Sequence, residues 1–84
     1  MVETQRQMDD RRRQVAEITG EQERIRANMG SVSRNSDYYT RLLTKLNDQE
    51  TRLEKLQSEI DTLTGKLAEQ RDALERYLSG INVG

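Results

Sequence analysis

The stretch MGSVSRNSDYYTRLL, residues 29–43, is where the fold of this chain is decided. On both sides of it apolar residues recur at alternating spacings of three and four. Within it the recurrence stops and then resumes out of phase. With Met1 at heptad position a, the a positions of the first half are Met1, Met8, Val15, Gln22 and Met29, and the d positions are Thr4, Arg11, Ile18, Ile25 and Val32. In the second half the pattern restarts with Tyr39 at a, followed by Leu46, Leu53, Ile60, Leu67, Leu74 and Ile81. Its d positions are Leu42, Gln49, Leu56, Leu63, Gln70 and Tyr77, so only two glutamines interrupt it. A sustained apolar seam of this kind is the signature of helices wound around each other.

The two halves cannot share one rod without strain. Val32 is a d residue and Tyr39, seven residues later, is an a residue. A continuous helix would need the offset of a stammer there. Local chemistry predicts a turn instead. Gly30 suits the left-handed position that follows a helix C-terminus. Ser31, Ser33, Asn35 and Ser36 are turn and cap formers. Ser36 followed by Asp37 reads as an N-cap with an acidic residue at the positive end of the helix dipole. The expected architecture is all-α: a single antiparallel helical hairpin over 1–84, with a first helix at about 2–29, a bend at about 30–36 and a second helix at about 37–80.

Composition supports a thin structure. Hydrophobic residues make up 32% and charged residues 35%, and the mean hydropathy is -1.01. That is too little apolar material for a compact globule, yet enough for one continuous stripe. There is no proline to break a long helix. A net charge of -1 gives no bulk electrostatic reason to expect nucleic acid. Without cysteine there is no disulfide or zinc thiolate chemistry, and without histidine the commonest general base is missing. No run of apolar residues is long enough for direct membrane insertion, and the opening MVETQRQMDD lacks the apolar core of a signal peptide.

If the chain folds back, facing residues have numbers with a constant sum. Pairing Met29 with Leu42 sets Ile25 on Leu46, Ile18 on Leu53, Val15 on Leu56 and Met8 on Leu63, with Val32 on Tyr39. The same register brings Gln22 opposite Gln49, where two amides are expected to bond each other instead of lying unpaired against leucine. Glu21 is expected beside Arg52. Arg11 faces Ile60, its methylenes along the seam and its guanidinium in water, and Thr4 faces Leu67. Met1 reaches Gln70. Beyond it about ten residues of the second helix, roughly 15 Å, have no partner, although Leu74, Tyr77, Leu78 and Ile81 continue the apolar stripe. The stripe is expected to be covered by helix upstream of Met1, by a second molecule, or by both.

Other candidates read more plainly as surface. DDRRRQ (9–14) could hold an anion but has the i,i+4 charge spacing of a solvated helix face. NDQE (47–50) and EQRD (69–72) do not converge as a metal site requires. Tyr38 and Tyr39 read as the closing pair at the hairpin tip. GSVS is too short for a phosphate loop and has no lysine of that motif. Ser31, Ser33 and Ser36 have no histidine to activate them. No cofactor, metal or catalytic constellation is expected.

The run EQERIRANMGSVSRNSDYYTRLLTKLNDQETRLEKLQSEIDTL, with the ending YLSGINV, resembles the C-terminal helical segment of uncharacterised bacterial proteins with the mucoidy-inhibitor-like conserved domain of unknown function. Arg24, Ile25, Arg26, Asn28 and Met29 carry the resemblance before the bend, with Asn35, Ser36 and Tyr39 after it and Gln49 and Glu50 further on. It covers about residues 15–83. It implies that a larger, β-rich part precedes this segment and that the protein belongs to the cell envelope; the family offers no established activity.

The functional expectation is therefore a non-enzymatic coiled-coil segment for oligomerisation, most simply as a homodimer forming a four-helix or end-to-end assembly, or for docking within a larger bacterial protein. The alternative is a recognition module that grips a different protein through the apolar end of the second helix.

Overall fold

A computed structural model describes residues 1–83 and places them in two helices, α1 (Val2–Met29) and α2 (Asp37–Val83), with no strand among the described residues. The helices lie side by side in a rod 74 × 15 × 15 Å. Cross-helix bonds give the direction. Thr4 bonds Gln70, Arg11 bonds Glu59 and Gln22 bonds Glu50, so numbers rise along α1 as they fall along α2. The chain is an antiparallel helical hairpin. None of its helices is long and apolar enough to cross a membrane among the described residues.

The bend is built from side chains that compete for backbone groups. The Ser36 hydroxyl oxygen accepts the Tyr39 N–H at 3.1 Å, which caps α2 at its third residue. The same hydroxyl donates to the Ser33 carbonyl at 2.7 Å, and Asn35 N–H donates to the Ser33 hydroxyl at 3.4 Å. Asp37 adds a negative charge in the first turn. At the end of α1 the expectation for Gly30 is corrected. Its φ of -62° and ψ of -22° are right-handed helical, and no residue with positive φ is found among the described residues. The helix tightens to a stop: Gly30 N–H still reaches the Arg26 carbonyl, then Ser31 and Val32 N–H groups donate three residues back to Asn28 and Met29. Such three-residue turns close a helix end without any left-handed residue.

The seam runs along the whole contact. Met8, Ile18, Ile25, Leu42, Leu56, Ile60 and Leu67 are buried. Val15, Met29, Val32, Tyr39, Leu46, Leu53 and Leu63 are half-buried. No large side chain is fully enclosed among the described residues, because two helices can cover a seam from only two sides. Each of these side chains still contributes about 1.5–3 kcal/mol where burial approaches completion. The absence of an enclosed centre makes such a fold sensitive to anything that covers its open flanks.

Candidate functional site

Two features stand out from an otherwise regular hairpin: polar groups set into the seam, and an apolar stripe that outruns it.

The polar layer at the middle of the seam differs from the expected amide pair. Gln22 is 3% exposed and Gln49 is 9% exposed, so both do lie in the interior. They do not bond each other. Gln22 Nε2 donates to Glu50 Oε1 at 3.0 Å, and Gln49 Oε1 is buried with no partner. The physical reason is charge. Glu50 sits at the flank next to Gln49, and an ionised carboxylate is a stronger acceptor than a neutral amide. Arg26, 4.0 Å from the same Glu50 oxygen, adds a cation to the cluster.

A second polar contact was not foreseen. Thr4, only 2% exposed, donates its hydroxyl to Gln70 Oε1 at 3.0 Å. The strict register set Thr4 against Leu67 and Gln70 against Met1, so both looked like isolated flaws in the seam. They occupy neighbouring layers, and the long glutamine side chain spans the diagonal between them. Two polar residues one layer apart on facing helices were the available signal.

The flanks also choose partners that heptad reasoning left undetermined. Glu21 was expected beside Arg52, but Lys45 Nζ stands 2.6 Å from Glu21 Oε1, and Arg52 donates to Gln14 Oε1 at 3.3 Å. Each flanking residue lies between two candidates one heptad apart on the other helix. The lysine holds the Glu21 carboxyl below its ordinary range, first through the hydrogen bond and then through its charge; burial works weakly against this. The Arg11 guanidinium, expected in water, is only partly so. It is held between Glu59, 3.2 Å away, and Asp10, 3.3 Å away. Arg13 in the same run also binds Asp10 and lies near Glu17, so two of the three arginines of DDRRRQ, Arg11 and Arg13, are paired with carboxylates.

At the tip Tyr39 is half-buried and ends the seam, while Tyr38 is exposed, as is Leu43 one turn on. No three acidic residues converge on a point among the described residues.

The stripe is the largest departure from a self-contained hairpin. Every residue from Arg71 to Ile81 is exposed. Among them Leu74, Tyr77, Leu78 and Ile81 are 44%, 67%, 48% and 57% exposed, on the side of α2 that its seam residues occupy further up the helix. Met1 and Val2, where α1 begins, are exposed beside it and wall an open depression with Leu67 and Arg71. A row of half-exposed large side chains at seam spacing can bind another apolar surface.

No protein family, characterised protein or solved structure matches the chain.

Proposed function

We propose that this hairpin is a non-enzymatic association element, in which α1 and the first two thirds of α2 form a stiff arm and the end of α2 is the adhesive part. The observation that carries this reading is the exposure of Leu74, Tyr77, Leu78 and Ile81 at uninterrupted heptad spacing beyond the end of α1. An apolar row held on a regular helix is already in its binding conformation, so little ordering entropy opposes association. The resemblance to mucoidy-inhibitor-like bacterial proteins would place the arm at the end of a longer chain. That part of the proposal rests on sequence motifs alone.

Sedimentation of the chain across the micromolar range, beside a variant carrying Leu74→Ser, Leu78→Ser and Ile81→Ser, tests the reading. The wild type is expected to self-associate and the variant to remain monomeric with its helicity retained. A wild type that stays monomeric at high micromolar concentration would restrict the stripe to docking on a different protein. A serine variant that associates as well as the wild type would remove the stripe from the reading altogether.

A further inference from the structure

We infer that the tip of the hairpin docks a short acidic stretch of another protein, on the face that carries Arg24, Tyr38, Arg41 and Lys45. This surface lies at the opposite end of the rod from the stripe and goes beyond the association reading.

Charge is divided along the rod. Gln22 bonds Glu50, so residues 24 and 47 stand at nearly one level, and the segment between them is the tip. It holds five basic residues, Arg24, Arg26, Arg34, Arg41 and Lys45, and one acidic residue, Asp37, for a net charge of +4. The rest of the chain holds nine basic and fourteen acidic residues, a net charge of -5. With a screening length of about 8 Å at physiological salt, a partner at the tip meets the local charge and not the overall -1.

The hairpin itself uses few of these cations. Lys45 is held by Glu21 and Arg26 lies at the limit of contact with Glu50. Arg24, Arg34 and Arg41 form no ion pair among the described residues. All three are exposed.

Spacing gathers most of the cluster on one face. Tyr38, Arg41 and Lys45 follow one another at three and four residues along α2, so they share a side of that helix. The Lys45–Glu21 bond joins that side to the Glu21 side of α1. Arg24, three residues after Glu21, lies on the same side one turn nearer the bend. The face runs about 14 Å, from the level of Tyr38 to that of Arg24, and Glu21 and Asp48 close it toward the body. Tyr38 is 51% exposed. Exposed tyrosine beside unpaired arginine is the side-chain combination enriched at the energetic centres of protein interfaces.

The shape of the charge selects the partner. A long nucleic acid or a flat anionic membrane laid along the rod would run on from this face into the acidic body. A membrane met end-on would reach Arg34 at the bend and leave Arg24 and Lys45 beyond a screening length. A short acidic stretch, about two helical turns long, covers the face and stops before Asp48. Its carboxylates can take the paired N–H donors of Arg24 and Arg41, and an apolar side chain among them can rest on Tyr38.

The test is titration of the full chain with a fluorescent peptide of about twelve glutamates with a central leucine, in low and in high salt. Duplex DNA and phosphatidylserine vesicles are titrated alongside. The variant Arg24→Gln with Arg41→Gln removes no bond within the hairpin. The variant Lys55→Gln with Lys66→Gln makes the same change of net charge on the body. The first pair is expected to weaken peptide binding several-fold and the second to leave it near the wild type. Salt is expected to weaken the wild type toward the first pair, and Tyr38→Ser to weaken binding at both salt concentrations. The chain with Leu74, Leu78 and Ile81 changed to serine is expected to bind the peptide as the wild type does. No peptide binding, an equal loss from both charge pairs, or a loss only in the serine chain overturns the tip as a docking surface. Tighter binding of DNA or vesicles than of peptide, lost with Arg24 and Arg41, overturns the acidic protein as its partner. Tyr38→Ser binding as the wild type does removes the apolar contact from the inference.

Discussion

At the scale of single residues, the seam glutamines Gln22 and Gln49 are chemically alike but sit in unequal environments. Gln22 has traded a neutral partner for the Glu50 carboxylate, while the Gln49 carbonyl oxygen is left bare in the interior. A buried polar atom without a partner costs about 1–3 kcal/mol, and a bond to a charged group contributes about 1.5–3 kcal/mol. Gln49→Leu is therefore expected to stabilise the hairpin by about 1–2 kcal/mol, and Gln22→Leu to stay within about 1 kcal/mol of the wild type. Urea unfolding of the two variants checks this, and equal gains from both would contradict the asymmetry. Gly30 makes a second case. Its backbone is right-handed helical, and an added Cβ would stand 3.4 Å from the Ala27 carbonyl oxygen, an ordinary contact. Gly30→Ala restricts the unfolded chain and is expected to raise stability by about 0.4–1 kcal/mol. A loss on thermal unfolding would show that the bend needs a glycine after all.

At the scale of elements, the two helices are held in register by seam and flank together. The Glu21–Lys45 pair joins α1 to α2 at an exposed edge. Because the carboxyl is held below its ordinary value of 4.5, the folded state binds its proton less readily than the unfolded chain. The contribution of this pair is complete above that ordinary value and is lost as the pH falls through the lower value of the folded state. It is also screened by salt. Glu21→Gln is expected to remove this part of the acid sensitivity while leaving the neutral-pH helicity intact. The measurement is thermal unfolding from neutral to strongly acidic pH at low ionic strength. Identical pH profiles for the variant and the wild type would show that the pair does nothing for the hairpin.

At the scale of the whole molecule, the rod is long because one helix of 47 residues sets its length and the other lies alongside part of it. Spin labels on Glu17→Cys and Glu54→Cys, both exposed and on facing stretches, are expected to report a separation of about 15–30 Å, set by two packed helices. A single unbroken helix would hold them about 55 Å apart. A distance near the larger value would rule out the hairpin in solution.

What the amino-acid sequence determined by itself is the number of helices, the place of the bend and the identity of the seam. These follow from short-range causes: a period of 3.5 in the apolar residues, a phase break between Val32 and Tyr39, and a serine able to cap the turn that begins at Asp37. Heptad arithmetic also left α2 without a partner beyond Gln70, and the exposed stripe lies there. Only the tertiary structure decided which polar groups meet. Gln22 prefers Glu50 to Gln49, Thr4 reaches across a layer to Gln70, Glu21 takes Lys45 and not Arg52, and Gly30 stays right-handed. Long polar side chains span more than one layer and choose among several partners of similar distance. Their choice depends on the charge and packing around each candidate, and a one-dimensional repeat does not contain that information.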